Sequence, residues 1–179
     1  MKLLLPNQVY NRVTDIDLDH LSSLGISGLL LDLDNTLVKF DSDQLDNEFK
    51  AWIEQVKAKG FKVCLVSNGK PKRVIRFAKQ MDMPAVIRAF KPKRSPFLRA
   101  LELIGKKASE AAMIGDQLFT DVLGANRLGI HSILITPLGK KELSTTRMVR
   151  KLERRMLNRF VKKRMLTAEA VKQRHGGKQ

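Results

Sequence analysis

The sequence predicts an α/β fold in which a central parallel sheet is covered by helices on both faces. Two observations lead to this prediction. Short apolar segments alternate with segments in which apolar residues recur at helical spacing, and several of the apolar segments are followed directly by polar or charged residues. Alternating strands and helices favour parallel strands joined by right-handed crossovers. The chain has 179 residues, 43% of them hydrophobic, which is enough for one domain with a buried core.

The predicted elements follow one another without an internal repeat. Residues 1–27 form an N-terminal segment that is expected to contain a short helix at 18–24. Strands are predicted at 28–33, 61–66, 85–90, 111–114 and 132–135. Helices are predicted between them: one follows an Asp43 cap and ends at Gly60, one begins at Pro71, one follows Lys91, and one spans 120–128. The main domain is therefore predicted at 28–146, followed by a basic helix and tail at 147–179.

Helical spacing also predicts which side chains face the core. The helix that begins at Pro71 is expected to bury Val74 and Ile75, and the helix after Lys91 is expected to bury Leu98 and Leu103. These helices would then cover the sheet with an apolar stripe and leave their charged residues in water.

The first long strand is predicted to end in two carboxylates separated by one residue. Asp32 and Asp34 follow the apolar run at 29–31 and precede Thr36. Alternate residues of a strand point to the same face, so the two carboxylates would lie close together if strand geometry continues through the pair. Like charges at that distance repel each other unless a cation or a proton-transfer role holds them. The alternative interpretation is a strand that runs into an acidic turn. Three further strand ends make this interpretation less favoured.

Those strand ends carry complementary groups. Ser67 and Asn68 follow the second long strand, Lys91 follows the third apolar segment, and Asp116 follows the fourth, with Asp121 farther along. Open α/β sheets bind ligands at the carboxyl ends of their strands. Phosphoryl transfer needs a nucleophile, an acid for the leaving group and positive charge on the phosphoryl oxygens, and this set of side chains contains all of them.

Each of these strand ends also has a purely structural interpretation. The segment 67–69 has the composition of a turn, and Asp121 has the position of a carboxylate that stabilises a helix start. Lys93 and Arg94 compete with Lys91, which is preferred because it directly follows the apolar run and precedes Pro92.

In these residues the chain resembles the haloacid dehalogenase (HAD) superfamily of aspartate-nucleophile phosphatases. Its four motifs are similar to 32–36, Ser67, Lys91 and 115–121, and the likeness covers 28–137. Thr36 after the paired aspartates is typical of the phosphatase branch. More narrowly, the chain is similar to the small IIIA-type bacterial phosphatases of the YqeG kind, which are related to the mitochondrial phosphatidylglycerophosphate phosphatase. The resemblance implies a three-layer Rossmann-like fold, and the short segments after the first two motifs imply that it lacks a cap domain.

For such a protein we expect Mg²⁺-dependent hydrolysis of a phosphomonoester through an aspartyl-phosphate. Asp32 would be the nucleophile, and Asp34 would act as general acid and then as general base. Mg²⁺ would be held by Asp32, by Asp116 and by the main-chain carbonyl of Asp34. The phosphoryl oxygens would be bound by Thr36, Ser67, Asn68 and Lys91. Asp121 would orient Lys91.

The net charge of +16 is concentrated at the end of the chain. Residues 147–179 contain twelve Lys/Arg against Glu153 and Glu169, so that +10 of the total lies there and the rest is only mildly basic. Apolar residues recur at helical spacing over 147–166, with basic residues, Arg150 among them, on the opposite side. Three interpretations stay open: a helix docked on its own core, a helix lying on anionic membrane, and, less favoured, binding to nucleic acid.

The preferred substrate is phosphatidylglycerophosphate at a membrane surface. The alternatives are a soluble nucleotide or sugar phosphate, and an RNA- or ribosome-associated factor with a secondary phosphatase site. Cys64 is the single cysteine, so no internal disulfide can form, in agreement with a reducing cytoplasm. Because the apolar run at 3–5 is short, neither a signal peptide nor a membrane span is predicted. The predicted location is the cytoplasm, extending to the inner face of the membrane; the oligomeric state stays open.

Overall fold

Six parallel strands form the central sheet of the computed structural model, which describes residues 2–139, 144–169 and 171. In chain order the strands are β1 (Gln8–Tyr10), β2 (Gly28–Leu31), β3 (Lys62–Val66), β4 (Ala85–Val86), β5 (Ala111–Gly115) and β6 (His131–Ile135). Their order in the sheet is β1-β6-β5-β2-β3-β4, and each neighbouring pair is parallel. The predicted α/β class with a central parallel sheet is confirmed.

Within the described residues, six α-helices cover the sheet: α1 (Leu18–Ser23), α2 (Asn47–Ala58), α3 (Pro71–Gln80), α4 (Arg94–Ile104), α5 (Leu123–Asn126) and α6 (Ser144–Lys162). A π-helical turn at Leu118–Val122 leads into α5. The cap of α2 is Asp46, whose carboxylate accepts a hydrogen bond from the Glu48 amide at 3.0 Å. The predicted cap, Asp43, instead pairs with Arg73 at 3.0 Å.

The core lies on both faces of the sheet because alternate residues of each strand point to opposite faces. On one face Leu29 and Leu31 belong to a buried cluster with α2 and α3, and on the other face Leu30 belongs to a cluster with α4. Cys64 is on the α4 side, and burial raises the pKa of its thiol to about 12, so it is not a reactive nucleophile.

The N-terminal segment contributes an edge strand that sequence patterning did not reveal. β1 has only three residues, all half-buried, and pairs with β6 from Gln8 opposite Ile133 to Tyr10 opposite Ile135. Three residues are too few for a visible alternation of apolar and polar side chains. The sheet is therefore completed by residues that precede the predicted boundary at residue 28.

Several predicted core positions turn out to be exposed. Ile75 of α3 is 42% exposed, and Leu98 and Leu103 of α4 are 51% and 47% exposed. The third apolar segment is a strand only over Ala85–Val86, and Ile87 and Phe90 beyond it are exposed. The predictions were wrong because each helix buries a narrower stripe than its sequence offers and β4 is an edge strand.

The connections that could hold a cap domain are short and fully described. A loop at 32–46 and α2 join β2 to β3, and α3 alone joins β3 to β4. The carboxyl edge of the sheet is therefore uncovered by a cap, as the sequence predicted.

The apolar side of α6 packs on the protein itself. Leu157 and Phe160 are buried against Leu118, Val122 and Leu134, which belong to the π-helical turn and to β6. This packing favours the docked interpretation over the hypothesis that 147–166 lies on anionic membrane through this face. The side chains of 144–148, and with them the start of the apolar pattern predicted over 147–166, lie outside the described part. Among the described residues, no helix combines the length and apolar character needed to cross a bilayer.

Candidate active site

Polar side chains from four strand ends converge at the carboxyl edge of the sheet. Asp32 follows β2, Ser67 follows β3, Lys91 follows the β4 segment, and Asp116 and Asp121 follow β5. All five residues are buried. Because β2 lies between β3 and β5 in the sheet, the parallel strands deliver these residues to one place.

Lys91 lies between two carboxylates. Its Nζ is 2.5 Å from Asp32 Oδ1 and 2.7 Å from Asp121 Oδ1, and only 2% of its side chain is exposed. Burial alone would lower the pKa of Lys91, but the carboxylates of Asp121 and Asp32 outweigh it and raise the pKa above its usual value. The site therefore contains a permanent positive charge next to Asp32.

Asp32 stands at the centre of the acidic cluster. Burial raises the pKa of Asp32 to about 8; Lys91 opposes this effect, and the charges of Asp121 and Asp116 add to it. The Thr36 hydroxyl donates a hydrogen bond to Asp32 Oδ2 at 3.2 Å. Thr36 is therefore placed to orient the Asp32 carboxylate.

The carboxylates of Asp32, Asp116 and Asp121 fit a divalent cation. Each offers an oxygen, these oxygens lie within 4.8 Å of one another, and all three residues are buried. The three buried carboxylates share two cations, Lys91 and Arg150. The remaining excess of negative charge adds to the effect of burial in raising the pKa of Asp32, and a metal ion would neutralise it. Oxygen ligands of this kind suit Mg²⁺. Asp121 was predicted to orient Lys91, and it contacts that residue, while its carboxylate also lies within the metal-binding cluster.

The turn after β3 supports the site through hydrogen bonds of its side chains to the main chain. Ser67 Oγ accepts a hydrogen bond from the Gly69 amide at 3.0 Å, which leaves the Ser67 hydroxyl hydrogen available as a donor. Asn68 Oδ1 accepts from the Lys91 amide at 2.9 Å. The side chain of Asn68, predicted to bind phosphate, is therefore occupied in holding the main chain of Lys91.

Two glycines allow carboxylates to approach the backbone. A Cβ at Gly69 would lie 2.6 Å from Asp34 Oδ2, and one at Gly115 would lie 2.3 Å from Asp121 Cγ. The Gln117 amide donates to Asp121 Oδ2 at 3.1 Å. A side chain at either glycine would displace a carboxylate of the site.

Arg73, from the first turn of α3, holds Asp34 and was not predicted. Its Nε donates to Asp34 Oδ1 at 2.9 Å, and its terminal nitrogens donate to the carbonyls of Ser42 at 2.6 Å and Lys39 at 3.1 Å. The guanidinium also lies 4.9 Å from the Phe77 ring centroid. Arg73 therefore ties the Asp34 carboxylate to the loop that follows β2.

Arg150, from α6, reaches the other side of the site. It donates to the Asp116 carbonyl at 2.5 Å, is also hydrogen-bonded to the Asp116 carboxylate, and pairs with Glu153 at 2.9 Å. Glu153 is buried and accepts from the Leu118 amide at 2.6 Å. The prediction that Arg150 belongs to the solvent-facing basic side of the helix was wrong, because α6 turns this residue towards the β5 end.

The sequence offered only a weak signal for these contacts. Arg73 and Asp34 are 39 positions apart, and Arg150 and Asp116 are 34 apart. Glu153 was the available signal, because it is the single acidic residue within 144–168 of a strongly basic segment. A lone carboxylate on the apolar side of a basic helix usually has a partner.

Comparison with known proteins places this geometry in context. A family model described as haloacid dehalogenase-like hydrolase matches residues 12–129. The chain is 36% identical over 162 residues to the probable phosphatase YqeG of Bacillus subtilis (strain 168), covering 90% of this chain and 94% of that protein. It is 30% identical over 172 residues to phosphatidylglycerophosphate phosphatase 1, chloroplastic/mitochondrial, of Arabidopsis thaliana, covering 90% of this chain and 49% of that protein.

Two solved structures share the fold. One is the cobalt-bound form of the deoxy-D-mannose-octulosonate 8-phosphate phosphatase from Haemophilus influenzae, with a TM-score of 0.52 and 13% identity over 63% of this chain and 69% of that chain. The other is an uncharacterized protein from Listeria monocytogenes serotype 4b, with a TM-score of 0.51 and 21% identity over 66% and 85%. At these identities the likeness concerns the fold alone.

Proposed function

Because this chain belongs to the haloacid dehalogenase-like hydrolase family, we propose that it is a Mg²⁺-dependent phosphomonoester hydrolase that forms an aspartyl-phosphate on Asp32. The observation that carries the proposal is the buried cluster in which Lys91 Nζ lies 2.5 Å from Asp32 beside Asp116 and Asp121. A carboxylate nucleophile next to a fixed positive charge is the arrangement that attack on a phosphate monoester requires.

Asp32 attacks the phosphorus with one carboxylate oxygen, and the bond from phosphorus to the leaving oxygen breaks. Thr36 and Lys91 orient the carboxylate before attack through their contacts with its two oxygens. Lys91 also stabilises the negative charge on the transferring phosphoryl group. The Ser67 hydroxyl, with its hydrogen free to donate, binds a second phosphoryl oxygen.

Asp32, Asp116 and the main-chain carbonyl of Asp34 would hold Mg²⁺. When bound, the ion neutralises repulsion between the carboxylates and the phosphate and draws charge from the phosphoryl oxygens. Asp121 keeps Lys91 directed at Asp32 through its 2.7 Å contact.

Asp34 is the proton donor and acceptor of the reaction. It protonates the leaving oxygen in the first step, and in the second it takes a proton from the water that hydrolyses the aspartyl-phosphate. Its carboxylate lies between the Arg73 guanidinium and the Gly69 backbone, and its side chain is 19% exposed.

The substrate we propose is a phospholipid phosphomonoester, with phosphatidylglycerophosphate as its candidate. Two observations support this class: the similarity to phosphatidylglycerophosphate phosphatase 1 over 90% of this chain, and an active-site edge without a cap, which admits a headgroup that stays attached to a lipid surface. We place the protein in the cytoplasm, at the inner face of the membrane.

A panel of phosphate monoesters tests this function. We expect hydrolysis to require Mg²⁺, to be lost when the metal is chelated, and to be fastest with phosphatidylglycerophosphate presented in detergent micelles. Nucleotide and sugar phosphates serve as the comparison. Faster hydrolysis of a soluble phosphate would contradict the proposed lipid substrate. Full activity after chelation would contradict the proposed role of Mg²⁺.

Replacing Arg73 by Gln is expected to lower kcat about tenfold or more on an alkyl phosphate, because Asp34 loses the contact that positions it. The loss on an aryl phosphate should be smaller, because that leaving group needs little protonation. Arg73→Lys should restore little activity, since an ammonium group lacks the planar fork that spans Asp34 and the two carbonyls.

Arg76→Gln is the matched control for Arg73. Arg76 pairs with Asp43 and lies 4.9 Å from the same Phe77 ring, but it has no contact with Asp34 among the described hydrogen bonds. Equal losses on alkyl and aryl phosphates, in proportion to a lower melting temperature, would give Arg73 a structural role only.

A further inference from the structure

The segment that follows β4 exposes large apolar side chains beside the active site. Phe90 is 64% exposed, more than any other large hydrophobic residue described, and Ile87 is 38% exposed. Ile87 and Ile75 line one surface groove with a volume of about 450 Å³. We use the name β4 rim for six exposed residues of this region: Ile75, Ile87, Arg88, Phe90, Lys93 and Arg94.

The backbone of the β4 rim is held in an unfavourable conformation. Arg88 and Phe90 have φ angles of 47° and 51°, in the left-handed region that residues with long or bulky side chains rarely adopt. Ala89 between them is buried, and its amide donates to the Ser67 carbonyl at 3.1 Å. The hydrogen bond that fixes the segment to the site therefore also holds the side chains of Arg88 and Phe90 in water.

The charge around the β4 rim is strongly positive. Residues 67–101 contain ten Lys/Arg and a single acidic residue, Asp82, although the first 146 residues as a whole are only mildly basic. Arg88, Lys93 and Arg94 are exposed, and Lys93 Nζ lies 5.6 Å from the centroid of the Phe90 ring. Exposed apolar side chains surrounded by cations are the composition that binds an anionic lipid interface.

The β4 rim also has the right position for such a contact. Phe90 directly precedes Lys91, so their Cα atoms are about 3.8 Å apart, and Lys91 Nζ is 2.5 Å from Asp32. A surface seated on the rim would therefore present its headgroups to the edge of the sheet that carries the active site, where no cap intervenes.

We propose that the β4 rim seats this protein on the surface of an anionic membrane, with Phe90 and Ile87 inserted among the headgroups and Arg88, Lys93 and Arg94 on the lipid phosphates. The proposal rests on the proposed function, since it assumes that the phosphate to be hydrolysed belongs to a lipid. A second copy of the chain is a poorer occupant, because two surfaces of the same positive charge would face each other. RNA would use the cations and Phe90, but it would not explain the aliphatic groove of Ile75 and Ile87.

Vesicle flotation tests the proposal without any catalytic step. Vesicles of phosphatidylcholine with phosphatidylglycerol are compared with vesicles of phosphatidylcholine alone, at low and high salt. We expect the protein to float with the anionic vesicles only, and more weakly at high salt. The double variant Ile87→Ser with Phe90→Asn should bind at least about tenfold more weakly; Asn is chosen because it tolerates a positive φ angle.

Two matched controls accompany this variant. Leu24→Ser with Leu103→Ser removes apolar side chains that are each 47% exposed elsewhere, and it should change binding by less than about twofold. Lys93→Gln with Arg94→Gln should weaken binding at low salt more than Arg154→Gln with Arg155→Gln, which removes two exposed charges from α6. Melting curves establish that each variant is folded.

The outcomes separate this inference from the proposed function. Absence of vesicle binding would overturn the inference, even with phospholipid hydrolysis intact in micelles. So would a larger loss of vesicle binding from Arg154→Gln with Arg155→Gln than from Lys93→Gln with Arg94→Gln. Salt-sensitive binding of single-stranded RNA that depends on the rim, with no vesicle binding, would overturn it in favour of RNA. Vesicle binding that depends on the β4 rim, without phospholipid hydrolysis, would support the membrane-binding role of the rim and overturn only the proposed lipid substrate.

Discussion

Asp32→Asn is expected to abolish turnover, by at least about 10³-fold in kcat, while the protein stays folded. The amide has nearly the shape of the carboxylate but is a poor nucleophile, so no aspartyl-phosphate can form. Lys91 keeps its 2.7 Å contact with Asp121, and the buried lysine is therefore not left without a counter-charge. Steady-state hydrolysis of a soluble phosphate, with a melting curve on the same preparation, measures both effects.

Asp82→Asn is the control for this substitution. Asp82 is exposed beyond the end of α3 and has a φ angle of 45°, which Asn tolerates, so its activity should match that of the unaltered protein. Beryllium fluoride mimics the phosphoryl group of an aspartyl-phosphate. If a structure showed it bonded to a side chain other than Asp32, or if Asp32→Asn retained near-normal activity, the proposed nucleophile would be wrong.

Removal of residues 147–179 is expected to destabilise the protein and to reduce hydrolysis of soluble and vesicle-bound substrates alike. Leu157 and Phe160 are buried against the π-helical turn and β6, so truncation would expose that surface to water. It would also remove Arg150 and Glu153 from Asp116 and Leu118, next to the active site. Melting temperature and both hydrolysis rates, measured on one truncated protein, test this expectation.

Point substitutions in α6 separate packing from polar contacts. Phe160→Ala should lower the free energy of unfolding by about 3–5 kcal/mol, and Glu153→Ala by about 1–3 kcal/mol, because it leaves the buried Leu118 amide without its acceptor. Leu152→Ala is the control, since Leu152 is 49% exposed on the same helix. An unchanged melting temperature with loss of vesicle hydrolysis alone would return α6 to the membrane hypothesis.

The fold was largely predictable because its signals are local. The apolar runs that became β2, β3, β5 and β6, and the alternation of strand and helix, depend on residues close together in sequence. Predictions were wrong where a neighbouring element decides the outcome. Ile75 and Leu98 lie on sides of their helices that none of the described elements covers, and β1 becomes a strand through its pairing with β6.

The candidate site divides in the same way. Parallel strands deliver their carboxyl ends to one edge, so the sequence positions of Asp32, Ser67, Lys91 and Asp116 were sufficient to predict that they meet; their roles stay predictions. The Mg²⁺ proposal and the substrate also rest on sequence resemblance and on the chemistry of these residues. The local sequence pattern and the parallel direction of the strands are sufficient to predict that these side chains meet.

Only the tertiary structure decided which arginines reach the site. Arg73 and Arg150 stand in helices rich in Lys and Arg, where sequence spacing cannot distinguish an exposed cation from one that binds a carboxylate. Their contacts with Asp34 and Asp116 depend on the packing of α3 and α6 against the sheet. The physical reason is that helix packing fixes the rotation of each helix about its axis. Successive residues point about 100° apart around that axis, so the rotation decides which of the neighbouring cations faces the site.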